Sequence, residues 1–546
     1  MTQAAVTPEE PMGSRLLIRS KGSLRSRRML TKAARLWILP SLGLLTLMLL
    51  WELAARTVAV GRHIVPTIPE VAQTMVSDGF YATGVTTTMW EAARGFFWGN
   101  LAALLVAAVC LLVPPLKNAL TRLAMATYST PTIAIAPLLV VLFSPDEAKV
   151  AMAGLSVFFP SLLGTLVGLE GAPKSALEFA HVSGGSRTFA LTRIRIRAAV
   201  PEIAAALSLA APAAIVGAMI GEYLGGDQGL GVVMVQAQQS LNVARAWAVA
   251  IEATAISTAI YLAIGLLASR LAYTATSTDL GGLAPVQKRR ARWPGEALLR
   301  SVLAIAAVIL LWFALVRASG IDGYIAKTPS DVWDFLTQGT AASEHRQLIL
   351  TTLAKTLGDA LIGYVAGTIV ALVAAAMFLS SPLLQGMFLP VVMTIRAVPL
   401  VAMTPLIALI FGRGLLTVAV LAGAVTFVPT LVLVLSALRA VPKPALDLAH
   451  AYALSPLRAL LTVRLPYAIP ALAASARIAI PGSILGAVLV EILVTGDGIG
   501  YTVATSIGSS EYATLWTALT VLTVVTTLIY TALSRVESSL LSRIAQ

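Results

Sequence analysis

Long apolar runs constrain this chain more than any other feature of its sequence. The first extends from Leu36 to Leu53, and runs of similar length recur until near the end of the chain. A run of about 20 apolar residues is long enough to cross the hydrocarbon core of a bilayer as a helix. Charged residues make up only 12% of the sequence, against roughly 25% in soluble proteins. The sequence therefore predicts an all-α integral membrane protein.

The chain also repeats itself. Pro137 and Pro405 are separated by almost the same length of chain as Glu222 and Glu491, with a difference of one position. A chance alignment would not keep this register across most of each half, so we predict two homologous halves in tandem. The other pairs in this register are Pro131 and Pro399, Phe143 and Phe411, Pro160 and Pro429, Lys174 and Lys443, His181 and His450, Ser186 and Ser455, Pro201 and Pro470, Pro212 and Pro481, and Gly231 and Gly500.

Each half offers about six apolar runs, which predicts about twelve transmembrane helices. Lys and Arg concentrate in alternate loops, and the positive-inside rule places these loops and both chain termini in the cytoplasm. An even number of spans in each half makes the halves parallel. The predicted organisation is a basic cytoplasmic tail (1–35), a first half (36–275), a cytoplasmic linker (276–296) and a second half (297–540). The predicted spans lie near 37–57, 88–113, 118–143, 148–169, 198–221 and 244–270, and near 299–317, 352–379, 383–411, 415–438, 469–493 and 512–534.

Several classes of function find no support in the sequence. The formal net charge of +13 lies in the loops, so membrane orientation explains it better than a nucleic-acid partner does. The single cysteine, Cys110, excludes an internal disulfide and a cysteine-rich metal site. No phosphate-binding G-x-x-x-x-G-K-[ST] motif is present, because the nearest stretch (171–175) lacks the glycine before Lys174. We therefore expect no ATP hydrolysis by this chain, and no metal or cofactor bound to it.

A polar and basic segment lies between the fourth and fifth predicted spans of each half. The first repeated segment is EFAHVSGGSRTFALTRIRIRAAVP (178–201), and the second repeated segment is DLAHAYALSPLRALLTVRLPYAIP (447–470). Each has an acid, a small residue and a His, then a break, a Ser, an apolar and basic stretch, and a Pro. Both lie in the cytoplasm in the predicted topology. An ordinary amphipathic loop is the alternative, but duplication at the same point favours a docking surface.

We predict two short helices in each repeated segment. Gly184 and Gly185 would end the first helix in the first half, and Ser455 would cap the second helix in the second half. Small residues four apart would lie on one helix face, where another backbone can approach closely. These pairs are Ala180 with Gly184 and Ala449 with Ala453.

The repeated segments resemble the cytoplasmic EAA loop of permease subunits in binding-protein-dependent ABC importers. That loop has the form E-A-A-x-x-x-G, then a polar stretch and a Pro before the next helix. The matching residues are Glu178, Ala180, Gly184, Pro201, Ala449 and Pro470, whereas Phe179, Asp447, Leu448 and Ala453 replace the expected types.

The resemblance covers nearly the whole chain outside the tail and the linker. RAVPLVAMTPLIALIFGRG (396–414) is similar to the third-helix segment of these permeases. AVLVEILVTGDGIGY (487–501) is similar to their outer turn, with GEYLGGDQGLG (221–231) as a weaker copy. The likeness is closest to the nitrate, sulfonate and taurine branch. Such permeases are usually single units that pair, so this chain resembles two fused permeases.

The resemblance implies the type I ABC importer permease fold in a bacterial inner membrane. The chain would form the path for a small solute, such as a sulfonate, nitrate or a related organic compound. A separate extracytoplasmic binding protein would deliver the solute. A separate ATPase dimer would use ATP and Mg and would dock on the repeated segments. The implied docking residues are Glu178, Ala180, His181, Gly184, Ser186, Asp447, Ala449, His450, Ala453 and Ser455.

Ionisable residues in the predicted spans are candidates for the translocation path. Arg396 and Arg477 would attract an anion if they faced the path, and local ion pairing or packing is the alternative. Glu222 and Glu491 lie near the outer ends of the fifth and eleventh spans. Helix capping or loop contacts are the alternative to substrate binding for these two residues.

Three other functions compete with the permease interpretation. A twelve-helix secondary transporter is the main alternative. It needs no ATPase partner and does not explain why the same loop is duplicated. A channel predicts rings of polar residues along a pore, and a membrane enzyme predicts a catalytic constellation. The sequence shows neither feature.

Overall fold

The computed structural model of the chain describes residues 38–57, 65–77, 79–112, 132–272, 296–395 and 399–544. All regular secondary structure within these ranges is helical, which confirms the all-α prediction. The predicted tail (1–35), the first part of the predicted third span (118–131), nearly all of the predicted linker (276–296) and the path candidate Arg396 lie outside the described residues.

The helices of the first half follow the order that the apolar runs predict. A π-helical turn, Ala190–Arg195, joins two of them. The α-helices are α1 (Ile38–Thr57), α2 (Ile68–Ser77), α3 (Phe80–Leu112), α4 (Thr132–Leu142), α5 (Pro145–Glu170), α6 (Lys174–Val182), α7 (Arg187–Phe189), α8 (Ile196–Gly225), α9 (Leu230–Gln239) and α10 (Val243–Ala272).

The second half repeats this order. Its π-helical turns are Leu460–Arg464 and Glu491–Thr495. The α-helices are α11 (Glu296–Ser319), α12 (Pro329–Thr337), α13 (Ala342–Ser380), α14 (Pro382–Ile395), α15 (Leu400–Phe411), α16 (Leu415–Arg439), α17 (Lys443–Ala451), α18 (Pro456–Ala459), α19 (Leu465–Val490), α20 (Gly498–Gly508) and α21 (Tyr512–Ile544).

The described helices confirm a multi-span membrane protein of about twelve helices. Among the described residues, 9 helices are long and apolar enough to cross a membrane, and three shorter apolar helices accompany them. The predicted single span 383–411 is wrong in one respect, because α14 ends at Ile395 and α15 begins only at Leu400. At 12 residues, α15 is about 18 Å long, too short to cross the hydrocarbon core alone.

The internal repeat begins earlier in the chain than the sequence comparison detected. Trp51 on α1 donates its indole N–H to the carbonyl of Pro66 (2.9 Å), and Trp312 on α11 donates to the carbonyl of Lys327 (3.2 Å). The two bonds are equivalent in the repeat, but a shorter length of chain separates Trp51 from Trp312 than separates Pro137 from Pro405. The second half therefore has extra residues between α12 and the middle of α13. A search with a single register misses α1 and α2 for this reason.

One short helix of each half packs against the other half as well as against its own. Ala134 and Ala136 on α4 of the first half lie in one core cluster with Ile484 and Leu515 of the second half. In return, α15 of the second half contributes to the first-half core through residues that include Leu406. Each half therefore depends on the other to complete its core.

Glycines bring the central helices of each half into backbone contact. On α3, Gly95 and Gly99 pack on α5, and a side chain at Gly99 would meet the carbonyl of Gly154. On α13, Gly363 and Gly367 occupy the equivalent positions of the repeat and pack on α16 in the same way. The spacing of four residues is the small-xxx-small pattern that lets membrane helices approach closely. The two helices of each pair therefore pack backbone against backbone.

Candidate docking and transport sites

Each repeated segment folds as a helix and a turn, as the sequence predicted, but the predicted second short helix continues without a break through the π-helical turn into the fifth span of its half. In the second segment, the hydroxyl of Ser455 accepts a hydrogen bond from the backbone N–H of Arg458 (3.4 Å), and Pro456 occupies the first helical position. In the first segment, the Ser186 hydroxyl accepts from the N–H of Phe189 (3.1 Å). The second helix of each segment is therefore fixed by its serine.

The turn between the short helices has the same backbone conformation in both segments. Gly184 has φ +75° and Ala453 has φ +49°, both in the left-handed region. The N–H of Gly184 donates to the carbonyl of His181 (3.1 Å), and the N–H of Ala453 donates to that of His450 (2.9 Å). An alanine is strained in this conformation because its Cβ crowds the backbone. The second segment thus keeps the turn without the glycine that suits it.

The predicted common face of small residues is wrong. Helix α6 ends at Val182 and α17 ends at Ala451, so Gly184 and Ala453 lie in the turn after each helix. Ala180 and Ala449 are each only 3% exposed, and the helices that carry them pack on the π-helical turns of their own segments. These two alanines therefore let the segments fold on themselves. The docking role of all four residues stays a prediction.

Replacing Ala453 with glycine is expected to raise the free energy of unfolding by up to about 1 kcal/mol, because it relieves the left-handed strain. The converse change, Gly184→Ala, is expected to lower it by about 1 kcal/mol, although no atom lies within 4 Å of the added Cβ. Thermal unfolding in detergent tests both. The control Ala445→Gly, inside α17, should destabilise. If Ala453→Gly behaves like this control, the left-handed turn is incorrect.

The polar docking candidates lie on the surface in both halves. The side chains of Glu178, His181 and Ser186 are exposed, as are those of Asp447, His450 and Ser455. Their positions and exposure agree between the halves. The repeated segments therefore present the same polar set twice.

Large apolar side chains accompany this polar set, and sequence reasoning did not select them. Phe179 is 74% exposed, and Leu448 at the equivalent position of the second half is 59% exposed. Val182 and Tyr452 are 86% and 74% exposed. For Phe179 and Leu448, the signal that could have found them is an apolar residue kept in register on an otherwise polar helix; Val182 and Tyr452 are not equivalent in the repeat. Exposed apolar groups beside polar ones are typical of the centre of a protein interface.

Arg477 has a counter-ion within its own half. Its Nε lies 2.9 Å from Oε2 of Glu537, which joins α19 to α21. The ring of Tyr530 lies 5.9 Å from its guanidinium carbon. The geometry is that of a local ion pair, so this arginine does not present an uncompensated charge to an anion. A position of Arg477 in the translocation path stays a prediction.

Glu222 lies in a buried cluster at the end of the bundle opposite the repeated segments. It is 1% exposed. Its Oε1 accepts a hydrogen bond from the hydroxyl of Thr88 on α3 (2.6 Å), and its Oε2 accepts from the N–H of Gly231 on α9 (2.6 Å). The Thr88 hydroxyl accepts in turn from the N–H of Leu230 (2.8 Å). Two N–H groups at the start of α9 are thus satisfied inside the bundle.

Glu491 has the same arrangement in the second half. It is 0% exposed, and its Oε2 accepts from the hydroxyl of Thr356 on α13 (2.9 Å) and from the N–H of Gly500 on α20 (2.8 Å). The N–H of Ile499 donates to Thr356 (2.9 Å). A side chain at Gly498, which has φ +82°, would collide with the Glu491 carboxyl. Each carboxyl therefore fastens the helix after its loop to the second span, and its role in the path stays a prediction.

A buried lysine adds to the cluster in the first half. Lys149 on α5 is 1% exposed, and its Nζ lies 3.0 Å from Glu91, 3.2 Å from Asp146 and 3.6 Å from Asp227. This ammonium joins α3, α5 and the loop before α9. A buried charge of this kind is stable only when it is paired.

The second half has a similar ion network, but its lysine lies on the helix equivalent to α3 and not on the helix equivalent to α5. Lys355 on α13 lies 2.6 Å from Asp359 and 3.4 Å from Asp497. Asp359 corresponds to Glu91 in the repeat, but the lysine does not correspond to Lys149. Sequence reasoning missed both networks because the lysines break the register. Among the described residues, no group of three or more His, Cys, Asp or Glu side chains could hold a metal ion.

Two stretches of the chain, residues 95–275 and 363–545, match the family described as "Binding-protein-dependent transport system inner membrane component". The chain belongs to this family. Each match lies within one half, so this inner-membrane permease carries two permease units in one polypeptide, as the sequence repeat indicated.

Individual relatives each cover about one half of the permease. A probable ABC transporter permease of Haemophilus influenzae is 28% identical over 233 residues, which is 43% of this chain and 93% of the relative. The formylaminopyrimidine transport permease ThiX of Halalkalibacterium halodurans is 28% identical over 194 residues, 35% of this chain and 78% of ThiX.

The putative aliphatic sulfonates permease SsuC of Bacillus subtilis is 23% identical over 194 residues, 35% of this chain and 70% of SsuC. The likeness to sulfonate-type permeases therefore extends to a curated relative, while ThiX is named for a different solute. No solved structure matches the permease.

Proposed function

We propose that this permease is the membrane subunit of an ABC importer and that each repeated segment docks one ATPase subunit. One observation carries the proposal: the same exposed surface occurs twice, after the fourth span of each half. Phe179 and Leu448 occupy the same position in the two surfaces, and the turns at Gly184 and Ala453 share their backbone conformation. A partner with two equivalent clefts would be held on both halves at once.

The positive-inside rule puts the repeated segments and both chain termini on the cytoplasmic side, where ATP and Mg would be used by the ATPase. This chain would hydrolyse no ATP. A binding protein would deliver the solute at the opposite end, near the Glu222 and Glu491 clusters. An anion such as a sulfonate or nitrate is the proposed solute, and SsuC supports that class more than Arg477 does. A secondary transporter without an ATPase is the competing function.

Replacing Phe179 and Leu448 together with arginine is expected to abolish ATPase binding. Each change puts a charge at the centre of the proposed interface, where a key residue contributes about 2 kcal/mol or more, and both sites lose contact together. The tagged chain would be purified in detergent after co-expression with the ATPase subunits encoded in the same genome, and the bound ATPase would be measured on a gel.

Val76→Arg is the matched control, because Val76 is 90% exposed on α2, away from the repeated segments. It should retain the ATPase. Retention by the Phe179→Arg/Leu448→Arg variant would contradict docking at these segments. If the unmodified chain brings down no ATPase, the secondary transporter becomes the better proposal.

A further inference from the structure

Two arginines connect the repeated segments to the spans that precede them. Arg195 donates from Nη1 to the carbonyl oxygen of Leu169 (3.1 Å), and Arg464 donates from Nη1 to the carbonyl oxygen of Leu438 (2.8 Å). The two arginines are equivalent in the repeat, and so are the two leucines. The two halves differ in many side chains of these segments, but both halves have this hydrogen bond.

The accepting carbonyls lie at helix ends. Helix α5 ends at Glu170 and α16 ends at Arg439, so the carbonyls of Leu169 and Leu438 are among the last four of each helix, which have no partner within it. A guanidinium there forms a charge-assisted hydrogen bond at the negative end of the helix dipole. Both arginines are partly buried, which shields the bond from competing water.

Each arginine also ends a π-helical turn. The turns Ala190–Arg195 and Leu460–Arg464 join the repeated segments to α8 and α19. A π-turn holds more residues than an α-turn and often marks a functional site. Only the short connections 171–173 and 440–442 separate each preceding span from its docking helix. The arginine thus joins the end of the fourth span to the start of the fifth span, and the docking helix lies between these two in the chain.

We propose that Arg195 and Arg464 are positioning residues that make each repeated segment move as one body with the end of the span before it. This inference rests on the proposed function, because the ATPase supplies the movement. When ATPase closure shifts the segments, the arginine bonds pass the shift to α5 and α16. The glycine contacts with α3 and α13 then carry it to the outer ends. Without the bonds, the shift passes only along α8 and α19, which continue from the segments without a break, and α5 and α16 do not follow it.

The test uses the full chain with its ATPase in detergent. Spin labels would be placed on cysteines at Ser240 and Ser509 in a Cys110→Ala background. These serines are exposed, occupy equivalent positions in the two halves and follow α9 and α20 at the end opposite the repeated segments. The label-to-label distance would be measured without nucleotide and after trapping with ATP and vanadate. Bound ATPase and the ATP hydrolysis rate would be measured on the same samples.

We expect the unmodified background to show a distance shift on trapping, and the Arg195→Gln/Arg464→Gln variant to show a clearly smaller shift while it keeps the ATPase and its hydrolysis, because only the route along α8 and α19 remains. Arg193→Gln/Arg458→Gln removes the same charge from exposed positions and should keep the shift. Arg195→Lys/Arg464→Lys should restore part of it. Loss of folding alone would remove the bound ATPase as well, which separates a structural defect from a defect in transmission.

A full shift in the Arg195→Gln/Arg464→Gln variant would overturn the inference. So would the absence of any shift in the unmodified chain with ATPase bound, because no movement then reaches the outer ends. If the unmodified chain binds no ATPase, the proposed function itself has failed, which is a separate outcome.

Discussion

Replacing Gly367 with leucine is expected to prevent the second half from folding, at a cost of about 4 kcal/mol or more. A Cβ at this position would overlap the hydroxyl of Thr426 and the carbonyl of Gly423 on α16, before the rest of the side chain is considered. Backbone atoms cannot give way as a flexible side chain can, so α13 and α16 would have to separate. The measurements are the yield of monodisperse protein in detergent and its thermal unfolding midpoint.

Gly358→Leu is the matched control, because Gly358 lies on the same helix with nothing within 4 Å of an added Cβ. It should behave like the unmodified chain, since leucine is a better helix former than glycine. The equivalent change in the first half, Gly99→Leu, should fail as Gly367→Leu does. If Gly367→Leu unfolds at the same temperature as the Gly358→Leu control, the close contact of α13 with α16 does not exist.

Apolar length and internal register carried most of the fold prediction. An apolar run of spanning length has few alternatives to a membrane helix, so α5, α8, α10 and their counterparts lie within several residues of their predicted positions. The start of α15 at Leu400 was missed although Arg396 and Pro399 lie in this stretch and Pro399 is the N-cap of α15. A proline inside a long apolar run does not by itself predict a new helix, because membrane helices tolerate proline.

The internal repeat also predicted part of the candidate site. Duplicated residues such as His181 and His450 show where a function lies, but they do not show which face is free. Ala180 proved buried because the segment folds back on itself, and the left-handed φ of Ala453 cannot be read from an alanine. Single-sequence reasoning also misses a contact such as Thr88 with Glu222, because the partners lie far apart in the chain.

The two ends of each half are fastened by different chemistry. Charge-assisted bonds from Arg195 and Arg464 hold the repeated segments, where water is near. Buried carboxyls of Glu222 and Glu491 hold the opposite end, where unsatisfied polar groups are costly. Between them, the helices touch through glycines. This arrangement is what the proposed transmission through Arg195 and Arg464 requires.

Replacing Glu491 with alanine is expected to destabilise the permease by about 2 kcal/mol, because it leaves the buried N–H of Gly500 without an acceptor. The hydroxyl of Thr356 also loses the carboxyl but keeps the carbonyl of Thr352 as an acceptor (3.1 Å). The thermal unfolding midpoint in detergent measures the loss. The first-half variant Glu222→Ala should lose more, about 3 kcal/mol, because the hydroxyl of Thr88 and the N–H of Gly231 both lose the carboxyl that accepts from them.

Glutamine distinguishes the two sites. In the second half both donors bond to Oε2 of Glu491, and Oε1 has no hydrogen-bond partner among the described residues. Glu491→Gln can keep both bonds with its one carbonyl oxygen, so its cost is limited to the amide group that replaces the unpartnered Oε1, and it should lose less than Glu222→Gln. Glu222 uses both oxygens, so Glu222→Gln must give up one bond, at a cost of about 1 kcal/mol. Equal losses in the two glutamine variants would contradict this geometry, and a stable Glu491→Ala variant would show that the carboxyl does not hold α20 in place.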